Sequence, residues 1–114
     1  MLLLAALSHA VEGNDLNVLV MGDWGGIPIP PWSTPAEHET AKYMGEEAAK
    51  INASFALALG DNFYENGIKT DEHDARFQHT FESVFTSSNL QGDAFFKVLA
   101  GNHVRTTFTV IITS

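Results

Sequence analysis

Cysteine is absent from the 114 residues, so the chain has no disulfide framework, no thiolate nucleophile and no zinc-thiolate site, and its thiol content leaves the compartment open. Basic residues are scarce as well. Six lysines and arginines stand against 14 aspartates and glutamates, a formal charge of -8, and nothing basic precedes Lys42. Such a surface repels phosphate backbones and argues against general nucleic-acid binding, but not against binding cations. No apolar run approaches the roughly 20 residues of a membrane span. The remaining composition, 45% hydrophobic and 18% charged, is that of a folded protein and too apolar for disorder. The length allows one domain.

The N-terminus carries an apolar run, Met1 to Leu7, closed by the small-residue stretch Ser8-His9-Ala10. It is similar to the end of a secretory leader but lacks the positive segment that normally opens one. Residues 1–10 are therefore expected to be a shortened signal peptide.

Three short apolar runs follow, each closed by glycine and then an acid or its amide. They are Leu16–Met21 before Gly22-Asp23, Phe55–Leu59 before Gly60-Asp61, and Phe95–Ala100 before Gly101-Asn102. Runs without strict alternation suit strands buried on both faces of a parallel sheet. The intervals, 38 positions from Asp23 to Asp61 and 41 from Asp61 to Asn102, leave room for a crossover helix each time.

The first crossover opens with Thr34-Pro35-Ala36-Glu37, a hydroxyl at the N-cap, proline at the first helical position and glutamate three residues after the cap. Thr40, Met44, Ala48 and Ile51 then share one face, and Glu46 and Lys50 make an (i, i+4) pair on another. The second crossover is expected from Asp74 to about Phe85, with Phe77, Phe81, Val84 and Phe85 as core residues. Between the first strand and the first helix, Gly25 to Pro35 holds two glycines and all four prolines and should form a rigid loop.

The arrangement is α/β, with order β-α-β-α-β. Right-handed crossovers place all three strand C-termini on one edge, where ligands sit in open α/β sheets. Asp23, Asp61 and Asn102 then converge. Together with Tyr64, three residues past Asp61, they make a hard-oxygen cluster suited to hard cations. A phenol becomes a phenolate at acidic pH only where a strongly charged metal displaces its proton, and ferric iron is the natural candidate. His103 stands next to Asn102 with an imidazole able to move a proton near neutral pH. His38, His73 and His79 lie on polar faces or loops and read as solvated, and His9 belongs to the leader.

Gly22-Asp23-Trp24-Gly25-Gly26, Gly60-Asp61-Asn62-Phe63-Tyr64 and Gly101-Asn102-His103, taken as an ordered set, resemble the first three motifs of the calcineurin-like metallophosphoesterases. The tyrosine, the tryptophan and the paired glycines are similar to those of the small tartrate-resistant purple acid phosphatases of animals. The resemblance runs from about Val18 to His103 and includes Phe77-Gln78 and the stretch Phe81-Glu82-Ser83-Val84-Phe85. It implies that residues 16–103 are the β-α-β-α-β half of a calcineurin-like metallophosphoesterase α/β sandwich. It also implies an acid phosphatase acting on phosphate monoesters, small molecules or phosphoproteins, in a secreted or lysosomal setting. By similarity Asp23, Asp61 and Tyr64 would bind Fe(3+), and Asp61 would bridge to a second divalent metal (Fe2+ or Zn2+) that Asn102 also binds. His103 would be the catalytic residue facing the phosphate, as proton donor or orienting hydrogen bonder. Two metal ions neutralise phosphate charge and hold the attacking and leaving oxygens in line, so no protein nucleophile is required.

The sequence departs from that pattern after His103. Val104 stands where the family has an acid, residues 104–114 look unrelated, and the family's later histidine ligands, one lone and one Gly-His-x-His pair, have no counterpart here. The expectation is an N-terminal portion with a divergent tail, a monomer if complete and association-prone as a fragment. Thr106 to Thr113 has the signature of an aggregation-prone strand. A non-catalytic metal-binding or regulatory chain is the alternative reading, and a flavodoxin-like or response-regulator-like magnesium domain is a weaker one. Asn52-Ala53-Ser54 is an N-glycosylation sequon at the end of the first helix.

Overall fold

The structure is a computed structural model that describes residues 3–9, 16–92, 95–99 and 101, the first of these segments by its backbone alone. Asn102, His103 and the divergent tail 104–114 lie outside the described residues, as do positions 10–15.

Four strands form one sheet in the order β1-β2-β3-β4: β1 Leu3–His9, β2 Leu16–Gly22, β3 Phe55–Ala58 and β4 Phe96–Val98. The last three are parallel, with Val18 opposite Phe55 and Ala56 opposite Phe96, as their non-alternating apolar runs predict. The first is an addition. Leu3–His9, read from the sequence as part of a leader, pairs antiparallel with β2 from Leu3 opposite Gly22 to His9 opposite Leu16.

The connection from β2 to β3 is α1, Pro35–Ile51. Its start is built by local chemistry. The Thr34 side chain accepts from the Glu37 N–H at 3.1 Å, and the Glu37 carboxylate accepts from the Thr34 N–H at 3.3 Å, closing the capping box with Pro35 in the first turn. The helix ends at Asn52, whose left-handed backbone (φ 51°) returns its N–H to Ala48 and Ala49. The buried face consists of Glu37, Ala41, Met44, Gly45 and Ala48. Thr40 is not part of it, because its hydroxyl turns back to the Ala36 carbonyl at 2.8 Å. Lys50 pairs with Glu47 at 3.2 Å, and Glu46 with Lys42 at 3.9 Å, in place of the Glu46–Lys50 pair expected from spacing. Both pairs are solvated and contribute little.

The second connection is helical only in part. Phe77–Glu82 is a π-helical turn, with the Ser83 N–H donating to the Gln78 carbonyl at 2.8 Å, and a 3-10 turn follows at Ser88–Leu90. The wider turn keeps aromatic residues spaced by four on one side. Phe77, Phe81, Val84 and Phe85 pack into the core as the sequence predicts.

Both connections cover the same sheet face, as two right-handed crossovers moving the same way across a sheet must. That face presents Leu19, Met21, Ala56, Ala58, Phe96 and Val98 to Met44, Ala48, Phe81 and Phe85. Trp24 lies at the centre of the aromatic layer, 5.3 Å from Phe63 and 5.0 Å from Phe81 between ring centroids. Such pairs are worth about 0.5–1.5 kcal/mol each beyond their burial. The opposite face carries Val20, Phe55, Leu57 and Lys97, all half-buried. Among the described residues no helix is long and apolar enough to cross a membrane.

Candidate metal centre

The strand ends are laced together by backbone bonds. The Leu59 N–H donates to the Met21 carbonyl at 2.8 Å and the Leu99 N–H to the Ala58 carbonyl at 2.8 Å, so residues just past β2, β3 and β4 share one edge. Asn62, next to Asp61 in the second motif, adds a clamp that the motif does not signal: its buried side-chain amide donates to the Leu99 carbonyl at 2.8 Å.

Asp23 follows β2 and Asp61 follows β3, and both take left-handed backbone conformations, φ 57° and 54°. Aspartate is one of the few residues other than glycine that visits this region readily. The turns aim both side chains at the same space. Tyr64 fills it, donating its hydroxyl to Asp23 Oδ1 at 2.5 Å and lying 3.3 Å from Asp61 Oδ2. Three of the five residues singled out from the sequence therefore come together. Gly101, the residue before Asn102, approaches the same place closely: with φ 79°, it has no room for a Cβ beside the Asp61 N–H and Oδ1. Asn102 and His103 themselves lie outside the described residues.

Gly25 sets the approach of the two loops. A Cβ there would stand 2.6 Å from the Tyr64 nitrogen and 2.7 Å from the Asp61 carbonyl oxygen, which only glycine avoids. The bare backbone lets the Tyr64 N–H donate to the Gly25 carbonyl at 3.0 Å.

Burial of the phenol, its hydrogen bond to Asp23 and the charges of Asp23 and Asp61 push Tyr64 well above the usual phenol range. One proton thus sits among three hard oxygens, two of them carboxylates, at a place that suits a multiply charged cation better than a monovalent one. Among the described residues no three histidine, cysteine, aspartate or glutamate side chains group around a cation, so the convergence is two carboxylates and one phenol.

A cleft of about 220 Å³ opens beside Asp23 and Tyr64, bounded also by Trp24, Thr34 and Glu37. Glu37 is 5% exposed, and its Oε1 has no hydrogen-bond partner among the described residues. Burial pushes its carboxyl up to about 7, against the smaller opposing pull of the Thr34 N–H and the Arg76 charge. The capping-box spacing locates Glu37 in the sequence, but nothing in that pattern signals its burial. His38, His73 and His79 are exposed, as expected, and His38 Nε2 lies 3.0 Å from Ser33 Oγ.

No family model matches the chain. Among curated proteins it is 46% identical over 88 residues to tartrate-resistant acid phosphatase type 5 of Oryctolagus cuniculus, covering 77% of this chain and 26% of that protein. It is 42% identical over 103 residues to the Rattus norvegicus protein of the same name, covering 90% of this chain and 31% of the relative. Purple acid phosphatase 3 of Arabidopsis thaliana is 38% identical over 88 residues, with 77% and 22% covered. The chain's curated homologues are thus tartrate-resistant and purple acid phosphatases, and the chain spans between a fifth and a third of their length.

Proposed function

We propose that this chain, homologous over most of its length to tartrate-resistant and purple acid phosphatases, supplies part of a dinuclear metal centre that hydrolyses phosphate monoesters. The observation that carries the reading is the Tyr64 hydroxyl held 2.5 Å from Asp23 Oδ1 and 3.3 Å from Asp61 Oδ2. In this reading Asp23, Asp61 and Tyr64 would hold Fe(3+), and Asp61 and Asn102 would hold a divalent partner, ferrous iron or zinc. When bound, the metal pair neutralises phosphate charge and aligns the attacking and leaving oxygens. The chain's own contributions are simpler. Tyr64 would bind as the phenolate, its proton released to solvent, Asp23 and Asp61 would balance positive charge, and His103 would donate a proton to the leaving oxygen or orient the phosphate. The sheet with its two crossovers then forms the β-α-β-α-β half of a calcineurin-like metallophosphoesterase sandwich.

Titration of the metal-free chain with ferric iron tests the centre. The expected result is a visible tyrosinate absorption that disappears in Tyr64→Phe, and a chain that binds no iron, or a band that survives the substitution, refutes it. Turnover of an aryl phosphate at acidic pH, in iron and zinc, above an Asp61→Ala control tests the activity. A second reading, metal binding without turnover, draws on the same three described donors, which are fewer than a ferric ion prefers. It predicts the visible band with no turnover above the control.

Asn52 and Ser54 are exposed, and Asn52 occupies the left-handed cap of α1 with its side chain free of hydrogen bonds to described residues. A secreted or lysosomal glycoprotein would carry a glycan there. Expression through a secretory route should give a mass that falls on peptide N-glycosidase treatment and is absent in Asn52→Gln; an unchanged mass overturns the assignment.

A further inference from the structure

Arg76 is a buried cation whose guanidinium makes no direct ion pair among the described residues, although the charges of Asp74 and Glu37 act on it. It is 8% exposed, and it takes part in neither of the salt bridges found among the described residues. Its partners are backbone carbonyls. One terminal nitrogen donates to the Gly25 carbonyl at 2.9 Å and reaches that of Ile27 at 3.4 Å, and the other reaches the Gly67 carbonyl at 3.5 Å. The guanidinium plane also lies over two rings, 5.8 Å from the centroid of Trp32 and 5.5 Å from that of Phe63. Asp74 fixes where the side chain begins, since its carboxylate accepts from the Arg76 N–H at 3.0 Å and from the Thr70 hydroxyl at 2.8 Å.

The carbonyls it contacts come from the two loops that carry the candidate metal donors. Gly25 lies two residues past Asp23, and Gly67 three past Tyr64. Gly25 also accepts the Tyr64 N–H at 3.0 Å, so one carbonyl receives donors from both the tyrosine backbone and the arginine fork. Burying a guanidinium costs stability even with the Asp74 and Glu37 charges nearby, and apolar residues of similar volume often fill such sites equally well or better. Packing alone is therefore a poor reason for arginine here. A planar fork can bind carbonyls on two loops at once, whereas a lysine ammonium is a point charge on a flexible stem.

We propose that Arg76 is a positioning residue for the candidate metal centre: by gripping the Gly25 and Gly67 carbonyls together, it fixes the loop after β2 against the loop after β3 and so sets the distance from the Tyr64 phenol to the Asp23 carboxylate. The clamp stands on the geometry of the chain itself. Its purpose rests on the metal-site reading given above.

The test compares Arg76→Lys and Arg76→Met with the unsubstituted chain. Amide hydrogen exchange is measured without metal at Tyr64, whose N–H is bound across the loops, and at Leu59, whose N–H is bound between β2 and β3. The expected result is exchange at Tyr64 accelerated tenfold or more in Arg76→Met, with Leu59 changed less than twofold, and a smaller loss of protection at Tyr64 in Arg76→Lys. Equal acceleration at both amides marks a general loss of stability and overturns the proposal, as does an unchanged Tyr64. If Arg76→Met does not fold, the lysine variant, which keeps charge and stem, decides on the same ratio. Ferric titration gives the second readout: the tyrosinate band should shift or weaken in Arg76→Lys at matched melting temperature, and an identical band refutes a role in setting the donors. Failure of the unsubstituted chain to show any band refutes the metal reading, while the exchange ratio still decides the clamp.

Discussion

Replacing Gly25 with alanine tests the loop geometry that brings Asp23 to Tyr64. The added Cβ would lie 2.6 Å from the Tyr64 nitrogen and 2.7 Å from both the Asp61 oxygen and the Phe63 nitrogen. All three are backbone atoms, so no flexible side-chain end can swing aside. Relief requires the segment from Asp61 to Tyr64 to move several tenths of an ångström away from the loop after β2. Overpacking of this kind costs about 1–3 kcal/mol, which for a domain of this size lowers the melting temperature by roughly 4–8 °C per kcal/mol. Gly22 provides the internal control, because a Cβ there meets only the Leu59 side chain at an ordinary 3.9 Å. Gly22→Ala should therefore be neutral, or stabilising by about 0.4–1 kcal/mol through the unfolded chain. Thermal and urea unfolding followed by circular dichroism measures both, and ferric titration asks whether the tyrosinate band weakens in Gly25→Ala alone. Equal stability of the two variants, or a Gly25→Ala chain within about 0.5 kcal/mol of the parent, would show that the loops are not held as tightly as the contacts require.

Thr34→Ala removes the hydroxyl half of the capping box and should cost about 1 kcal/mol, read from the urea midpoint at constant slope; an unchanged midpoint contradicts the assigned helix start. Glu37 gives a pH dependence with a definite sign. Its carboxyl is raised from 4.5 to about 7, so the folded state holds the proton more tightly than the unfolded state. Its contribution is fully present below pH 4.5 and is lost as pH rises through about 7, a change on the order of 3 kcal/mol. Glu37→Gln should flatten the stability profile between these limits, and a profile with the same slope in both chains rules out Glu37 as its source.

Much of the architecture was legible because its signals are local. The sequence Thr34-Pro35-Ala36-Glu37 announces a helix start whatever surrounds it, and the glycine-acid pairs after Met21 and Leu59 mark where parallel strands end. The approach of Tyr64 to Asp23 and Asp61 followed from those two strand ends and one short loop. Other features depend on partners far along the chain. An apolar run at the N-terminus fits a leader and an edge strand equally well, and only pairing with Leu16–Gly22 makes it β1. Phenylalanines four apart suit an α-helix or a wider turn, and the choice falls to packing against Trp24 and Phe96. Arg76 carries no sequence signal beyond being an arginine near a helix start. Its role rests on carbonyls at Gly25 and Ile27, some fifty positions earlier.

The antiparallel run of β1 has a practical consequence. Leu3 pairs with Gly22, the residue immediately before Asp23, so the N-terminal end of β1 lies at the sheet edge that carries the candidate donors. A polyhistidine tag on the N-terminus would bring imidazoles towards the place where iron is to be measured, adding nitrogen donors to the three oxygens found among the described residues. Metal titrations of this protein therefore call for tag-free material, and a tag deliberately left in place becomes a probe of how far that edge lies open.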